Sequence, residues 1–211
     1  MLHAYVLALI GIALAQAAPG PNMIAVTSAA LGQGRRAAIF TVLGVASGML
    51  VWATTVAFGL SAVLALYPSL LSLLKVVGGS YLIFLAFRAA RAAIAGGQHT
   101  VRPQTRQTSA FAAWRRGLLV VLTNPKAALM WTAVATFLFG SGLTAAQVVG
   151  FGPVAFVSAS LIYGSYGLLF STGLAMRGYA RFARGVESVF GAAFGLLGAK
   201  LLHDGFRELR S

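Results

Sequence analysis

From Leu2 to Leu31 the chain carries no lysine, arginine, aspartate or glutamate, and the same holds from Ala37 to Leu74. About 20 predominantly apolar residues cross a hydrocarbon core of about 30 Å, so each run is long enough to span a bilayer. The remaining residues offer little to coat a water-facing surface. The whole chain is 59% hydrophobic and 9% charged, against about 45–50% apolar and about 25% charged in soluble domains, with a mean hydropathy of +0.85. A soluble enzyme is excluded.

Charge narrows the reading further. The formal net charge of +13 comes from 16 basic and 3 acidic residues. Nucleic-acid-binding proteins show such an excess as a basic face on a soluble fold. Here the basic residues lie between apolar runs, the distribution that the positive-inside bias of membrane proteins produces, so no nucleic-acid partner is expected. The carboxylates are Glu187, Asp204 and Glu208 alone, which leaves residues 1–186 without paired-acid chemistry or a carboxylate metal cage. Cysteine is absent, removing a disulfide scaffold, a thiolate metal site and a cysteine nucleophile. His3, His99 and His203 fall at span ends or in a connection, where no intramembrane metal pair or Ser-His dyad forms. We expect no metal, no cofactor and no catalysis.

The turn signal Tyr67-Pro68-Ser69 divides the second run into two spans, the later one passing Lys75 and reaching about Phe87. Further spans read as Gly117 to Phe139, Gln147 to Met176 and Val186 to about Leu202. The first run lacks a basic leader region and is too long for a cleavable signal, so it is counted as a retained span. The expectation is an all-α polytopic membrane protein of six transmembrane helices forming one membrane domain over residues 1–211. Arginines cluster in connections 32–36 (Arg35, Arg36), 88–116 (Arg88, Arg91, Arg102, Arg106, Arg115, Arg116) and 177–185 (Arg177, Arg181, Arg184), whereas the other two connections are uncharged. The arginine side is expected to face the cytoplasm, with both termini outside. The polar, basic segment 96–116 separates halves at 1–95 and 117–211. Because each half has an odd number of spans, the second enters the bilayer from the opposite face, as an inverted repeat does.

Two interruptions carry the functional reading. Pro19-Gly20-Pro21-Asn22 breaks the first span and Asn124-Pro125-Lys126 breaks the fourth. Asn22 lies nine residues before Leu31, and Lys126 nine after Gly117, so both sit about 14 Å from the arginine-bearing end, near mid-membrane. Proline has no N–H and clashes with the preceding turn. Pro19, Pro21 and Pro125 therefore free the carbonyls of Ala15, Ala17 and Val121. Irregular backbone at this depth is tolerated only when buried in protein or lining an aqueous cavity. Helices restarting near Pro21 and Pro125 point positive N-termini at the midplane, and Lys126 adds a full charge where ionisable residues are functional by default. The resulting expectation is a receptor for a small zwitterion. Helix N-termini, Asn22 and Lys126 would take its carboxylate, and the freed carbonyls its ammonium group.

Other residues read as structural. Lys75 and Lys200 are expected to snorkel toward the membrane surface. Gly44 and Gly48 admit close helix packing, within the monomer or between copies in a homodimer. Pro153 reads as a kink without chemistry. Trp52, Trp114, Trp131 and the tyrosines read as packing or interfacial residues.

In these residues the chain resembles the lysine exporter and homoserine/threonine resistance translocators, the LysE/RhtB type. The resemblance covers nearly the whole chain. It rests on Pro19-Gly20-Pro21-Asn22, the Gly44 to Gly48 segment, Gly78-Gly79-Ser80-Tyr81-Leu82 with Arg88, and Arg116-Gly117 followed by Thr123-Asn124-Pro125-Lys126. It implies an exporter of amino acids or their derivatives in the bacterial inner membrane, driven by the proton gradient. Many relatives place an acidic residue after the second glycine, where this chain has Met49, so a proton carried within the membrane falls to Lys126. The alternative is an ion or small-anion channel or transporter of the same architecture. A cation path is disfavoured by Lys126 and by the absence of intramembrane carboxylates.

Overall fold

Prolines, glycines and the polar connection divide the apolar chain into helices α1 (Leu2–Ala17), α2 (Pro21–Gln33), α3 (Arg35–Leu66), α4 (Leu70–Ala95), α5 (Ala110–Leu122), α6 (Pro125–Gly140), α7 (Ala145–Phe170) and α8 (Ala175–Leu209). The computed structural model describes positions 1–67, 69–95, 103–105, 107–171 and 175–209, without the side chains of 95, 175–184, 186, 187 and 190. Pro68, Gly96, Gly97, His99, Arg102, Arg106 and Arg210, and the side chains of Arg177, Arg181, Arg184 and Glu187, lie outside the described residues.

One order of elements occurs twice. A helix breaks at a proline, restarts, turns at a glycine and continues into two long helices. The breaks bend α1 against α2 by 51° and α5 against α6 by 62°. The glycine turns are Gly34 (φ 82°) after α2 and Gly142 (φ 80°) after α6, a backbone region that disfavours any residue with a Cβ. Among the described residues, α3, α4 and α7 are each long and apolar enough to cross a membrane, and the two bent pairs qualify as broken spans. The chain is therefore an all-helical polytopic membrane protein. The sixth expected segment lies within α8.

The basic connections of the sequence reading are shorter than expected, because helices run past the apolar segments. Arg35 and Arg36 open α3, Arg88 and Arg91 lie in the last turns of α4, Arg115 and Arg116 lie inside α5, and positions 177–185 belong to α8. Arginine is a good helix former, so the helix does not stop where the apolar stretch stops. The Ser109 side chain caps α5 by accepting from the Ala112 N–H at 3.2 Å.

Small residues set the helix pairing. On α4, Ser72, Gly79 and Ala86 face Gly205, Gly198 and Gly191 of α8 in antiparallel register, in steps of seven residues along both helices. That spacing keeps one stripe of each helix against the other. A Cβ on Gly198 would stand 2.8 Å from the Gly79 carbonyl oxygen, and one on Gly79 would stand 2.9 Å from that of Gly198. Between α3 and α5, a Cβ on Gly44 would collide with the Trp114 carbonyl, one on Gly48 with Val121, and one on Gly117 with the Thr41 carbonyl. The Gly44/Gly48 pair is thus covered inside the chain, and a homodimer would need another face. Pro153 lies within the continuous helix α7, and Trp131 is fully buried against Phe151.

Lys75 does not snorkel. It is 8% exposed and its amine pairs with Glu208 at 2.6 Å, while Ser72 donates to the other Glu208 oxygen at 3.0 Å. The reason is its position on the α4 face that α8 covers, where a carboxylate is nearer than bulk water. These hydrogen bonds, that from Lys75 first, hold the Glu208 carboxyl below the usual carboxylate range.

Gly79→Leu should destabilise the α4–α8 pair by about 1–3 kcal/mol or more through overpacking. Gly59→Ala, whose Cβ meets open space, should leave stability unchanged; thermal unfolding in detergent measures both. The folded chain releases the Glu208 proton more readily than the unfolded chain, so its pairing stabilises at neutral pH and is lost as pH falls through the carboxylate range. Glu208→Gln should therefore unfold at lower temperature than wild type at pH 7, and the gap should close in acid.

Candidate substrate site at the helix breaks

Both restarts form where proline allows. Pro21 and Pro125 occupy the first positions of α2 and α6, where the missing N–H costs nothing and the fixed φ suits the helix. Asn124 caps α6, its Oδ1 accepting from the Lys126 backbone N–H at 3.0 Å. Its Nδ2 donates to Asn22 Oδ1 at 3.1 Å, and Asn22 Nδ2 donates to the Tyr163 hydroxyl at 3.3 Å. The two breaks, more than 100 residues apart in sequence, therefore meet through their asparagines and are tied to α7.

The carbonyls released by the prolines each find a donor on another helix. Lys126 Nζ donates to the Ala15 carbonyl at 3.2 Å, the Tyr166 hydroxyl to that of Ala17 at 2.6 Å, and the Trp52 indole N–H to that of Val121 at 3.1 Å. An unmatched carbonyl in hydrocarbon costs several kcal/mol, and the fold meets that cost with side chains. In this conformation the three acceptors assigned from sequence to a substrate ammonium group are thus engaged by the protein.

Lys126 is half-buried and stands between two spaces. A cavity of about 480 Å³ is lined by Pro19, Gly20, Pro21, Asn124, Pro125 and Lys126, and runs along α4 past Tyr81 and Arg88 to Ala92. That is ample for a metabolite. A second space of about 20 Å³ is lined by Asn22, Gln16, Met49 and Tyr163, with Gly20, Asn124 and Lys126 shared; it holds about one water. All seven residues singled out from sequence, Pro19, Gly20, Pro21, Asn22, Asn124, Pro125 and Lys126, line one space or both. Of the carbonyl residues, Ala15 lines the smaller, whereas Ala17 and Val121 line neither. A Cβ on Gly20 would lie 3.6 Å from Lys126 Nζ, so the lysine packs directly over the backbone of the break.

Sequence reasoning missed the residues that support the breaks from other helices. Gln16 is 2% exposed, donates to the Ala155 carbonyl at 3.4 Å and accepts from Ser158 at 2.8 Å. As the one amide in the first span before the prolines, it carried a signal. Tyr163 and Tyr166, one helical turn apart, read as packing residues yet present their hydroxyls to the breaks. Trp52 likewise serves as a hydrogen-bond donor rather than as packing alone.

Paired helix breaks beside a cavity that a lysine amine enters, on helices apolar enough to cross a bilayer, are the features of a membrane transport protein. Residues 13–205 match the LysE type translocator family, and the chain belongs to it; it is a translocator, not an enzyme. It is 30% identical over 196 residues to the uncharacterized membrane protein YahN of Escherichia coli K12, covering 90% of this chain and 85% of that one. The threonine efflux protein of the same strain is 28% identical, over 87% of this chain and 90% of its own. The homoserine/homoserine lactone efflux protein of Salmonella typhimurium is 26% identical, over 87% and 88% respectively. No solved structure matches the chain.

Tyr166→Phe leaves the Ala17 carbonyl without its donor at small loss of volume. It should lower stability by about 1–3 kcal/mol, the cost of an unmatched buried acceptor, as read by unfolding in detergent.

Proposed function

We propose that the protein is a secondary transporter of the bacterial inner membrane that exports amino acids or amino-acid derivatives from the cytoplasm, coupled to the proton gradient. The observation that carries this reading is the meeting of the two breaks through Asn22 and Asn124, with the Lys126 amine beside them on a cavity of about 480 Å³. The efflux activities named for two relatives support amino acids as the cargo.

A zwitterion entering the cavity meets the positive N-termini of α2 and α6 and the Lys126 amine. Lys126 turns from the Ala15 carbonyl to the substrate carboxylate, and the vacated carbonyl accepts from the substrate ammonium group. One movement thus converts an internally satisfied site into one that matches both ends of the solute. Proton coupling runs through the same amine, since Met49 lines the smaller space where a carboxylate would otherwise stand.

The architecture proposed for this cycle is six spans in two inverted halves, with α8 as the sixth. Three features support it. The order of break, glycine turn and two long helices repeats, and α3 packs on α7 and α4 on α8, each against its counterpart. Donors are also exchanged, since Trp52 of the first half serves the break of the second and Tyr166 of the second serves that of the first. With the arginine-bearing helix ends in the cytoplasm, the cavity extends toward that side, and rocking of one half against the other exposes the site outward.

In proteoliposomes carrying an imposed pH gradient, Lys126→Met and Asn22→Ala should abolish amino-acid efflux while membrane insertion is retained. Wild-type efflux from well-inserted Lys126→Met would remove the lysine from the site, and uphill efflux unchanged after collapse of the gradient would remove proton coupling.

A further inference from the structure

The large cavity bounds the chemistry of the solute more tightly than the helix breaks do. Its wall comes from α2, α4 and α6 and the first break, and its charged groups are Lys126 at depth and Arg88 toward the basic end of α4. Arg88 is exposed, its guanidinium 5.8 Å from the centre of the Phe84 ring. Among the described residues no carboxylate lines this cavity, and none is available to do so from α1 through α7, because residues 1–186 contain no aspartate or glutamate. Glu208 is engaged by Lys75 on the α4–α8 seam. A solute with a cationic side chain would sit near these two cations, with no lining carboxylate among the described residues to offset them.

The neutral polar side chains of the wall are few, Tyr81 and Asn124. The Asn124 amide already donates to Asn22 and accepts from the Lys126 backbone. Ile24, Phe84, Leu85 and Leu129 form the apolar part of the wall. Apolar surface of this kind favours a solute that removes its own apolar surface from water.

We propose, on the basis of the export reading above, that the solute is an amino acid with an uncharged apolar side chain, of the leucine or phenylalanine class. Arg88 draws its carboxylate in at the rim and Lys126 holds it at depth, while the side chain rests on Ile24, Phe84, Leu85 and Leu129. Arg88 is then a capture residue, and the wall sets specificity.

The test is exchange of radiolabelled amino acids by the full-length protein in proteoliposomes, one at a time, with leucine, phenylalanine, threonine and lysine. Leucine and phenylalanine should exchange faster than lysine by about tenfold or more, a discrimination of the size that side-chain pockets achieve, and also faster than threonine. Arg88→Gln should raise KM for leucine with little change in kcat, and Ile24→Glu should improve lysine relative to leucine. Exchange of lysine or threonine at the leucine rate in the wild type overturns this inference and leaves the export reading intact. Failure of every amino acid to exchange overturns both.

Discussion

The need to satisfy every backbone carbonyl at membrane depth organises this molecule. Lipid offers no hydrogen bonds, so a helix interrupted there must borrow donors from its neighbours. The three prolines at the breaks create that demand, and Lys126, Tyr166 and Trp52 meet it from α6, α7 and α3. The break regions are consequently tied to each other and to α3 and α7 by hydrogen bonds, with the Asn22–Asn124 contact at their centre. A charged amine is also brought to the middle of the protein, where it satisfies a carbonyl and faces a cavity.

Close approach of the helices follows from a different property of the sequence. In a membrane, helix association draws on van der Waals packing and on hydrogen bonds rather than on exclusion of water. The glycine and small-residue stripes on α4 and α8, and the glycines between α3 and α5, bring backbones within reach of each other. The long helices thus form a frame around the shorter broken ones, and the cavity lies where the broken helices leave the frame incompletely filled.

The two lysines of the interior show how place decides the role of one residue type. Lys75 lies under α8 and has a carboxylate partner, so its charge is balanced and belongs to the frame. Lys126 opens α6 and donates to a backbone carbonyl beside a cavity. Its residue type alone distinguishes it from Lys75 in no way; the proline before it and the opposed break do.

Much was legible in the linear chain because its signals are local. Uncharged runs of sufficient length mark membrane spans, proline fixes where a helix stops and restarts, and Pro19 through Asn22 with Asn124 through Lys126 marked the two helix breaks. What the chain could not announce were partners distant in sequence. Tyr163, Tyr166, Trp52 and Gln16 look like ordinary span residues until α3 and α7 are laid against the breaks, and the Lys75–Glu208 pair joins residues 133 apart. The positions of helices and breaks were thus determined by sequence, since backbone geometry and the bilayer act residue by residue. Which side chain meets which freed carbonyl, and where a cavity remains, was decided by tertiary packing, because those contacts depend on how whole helices cross.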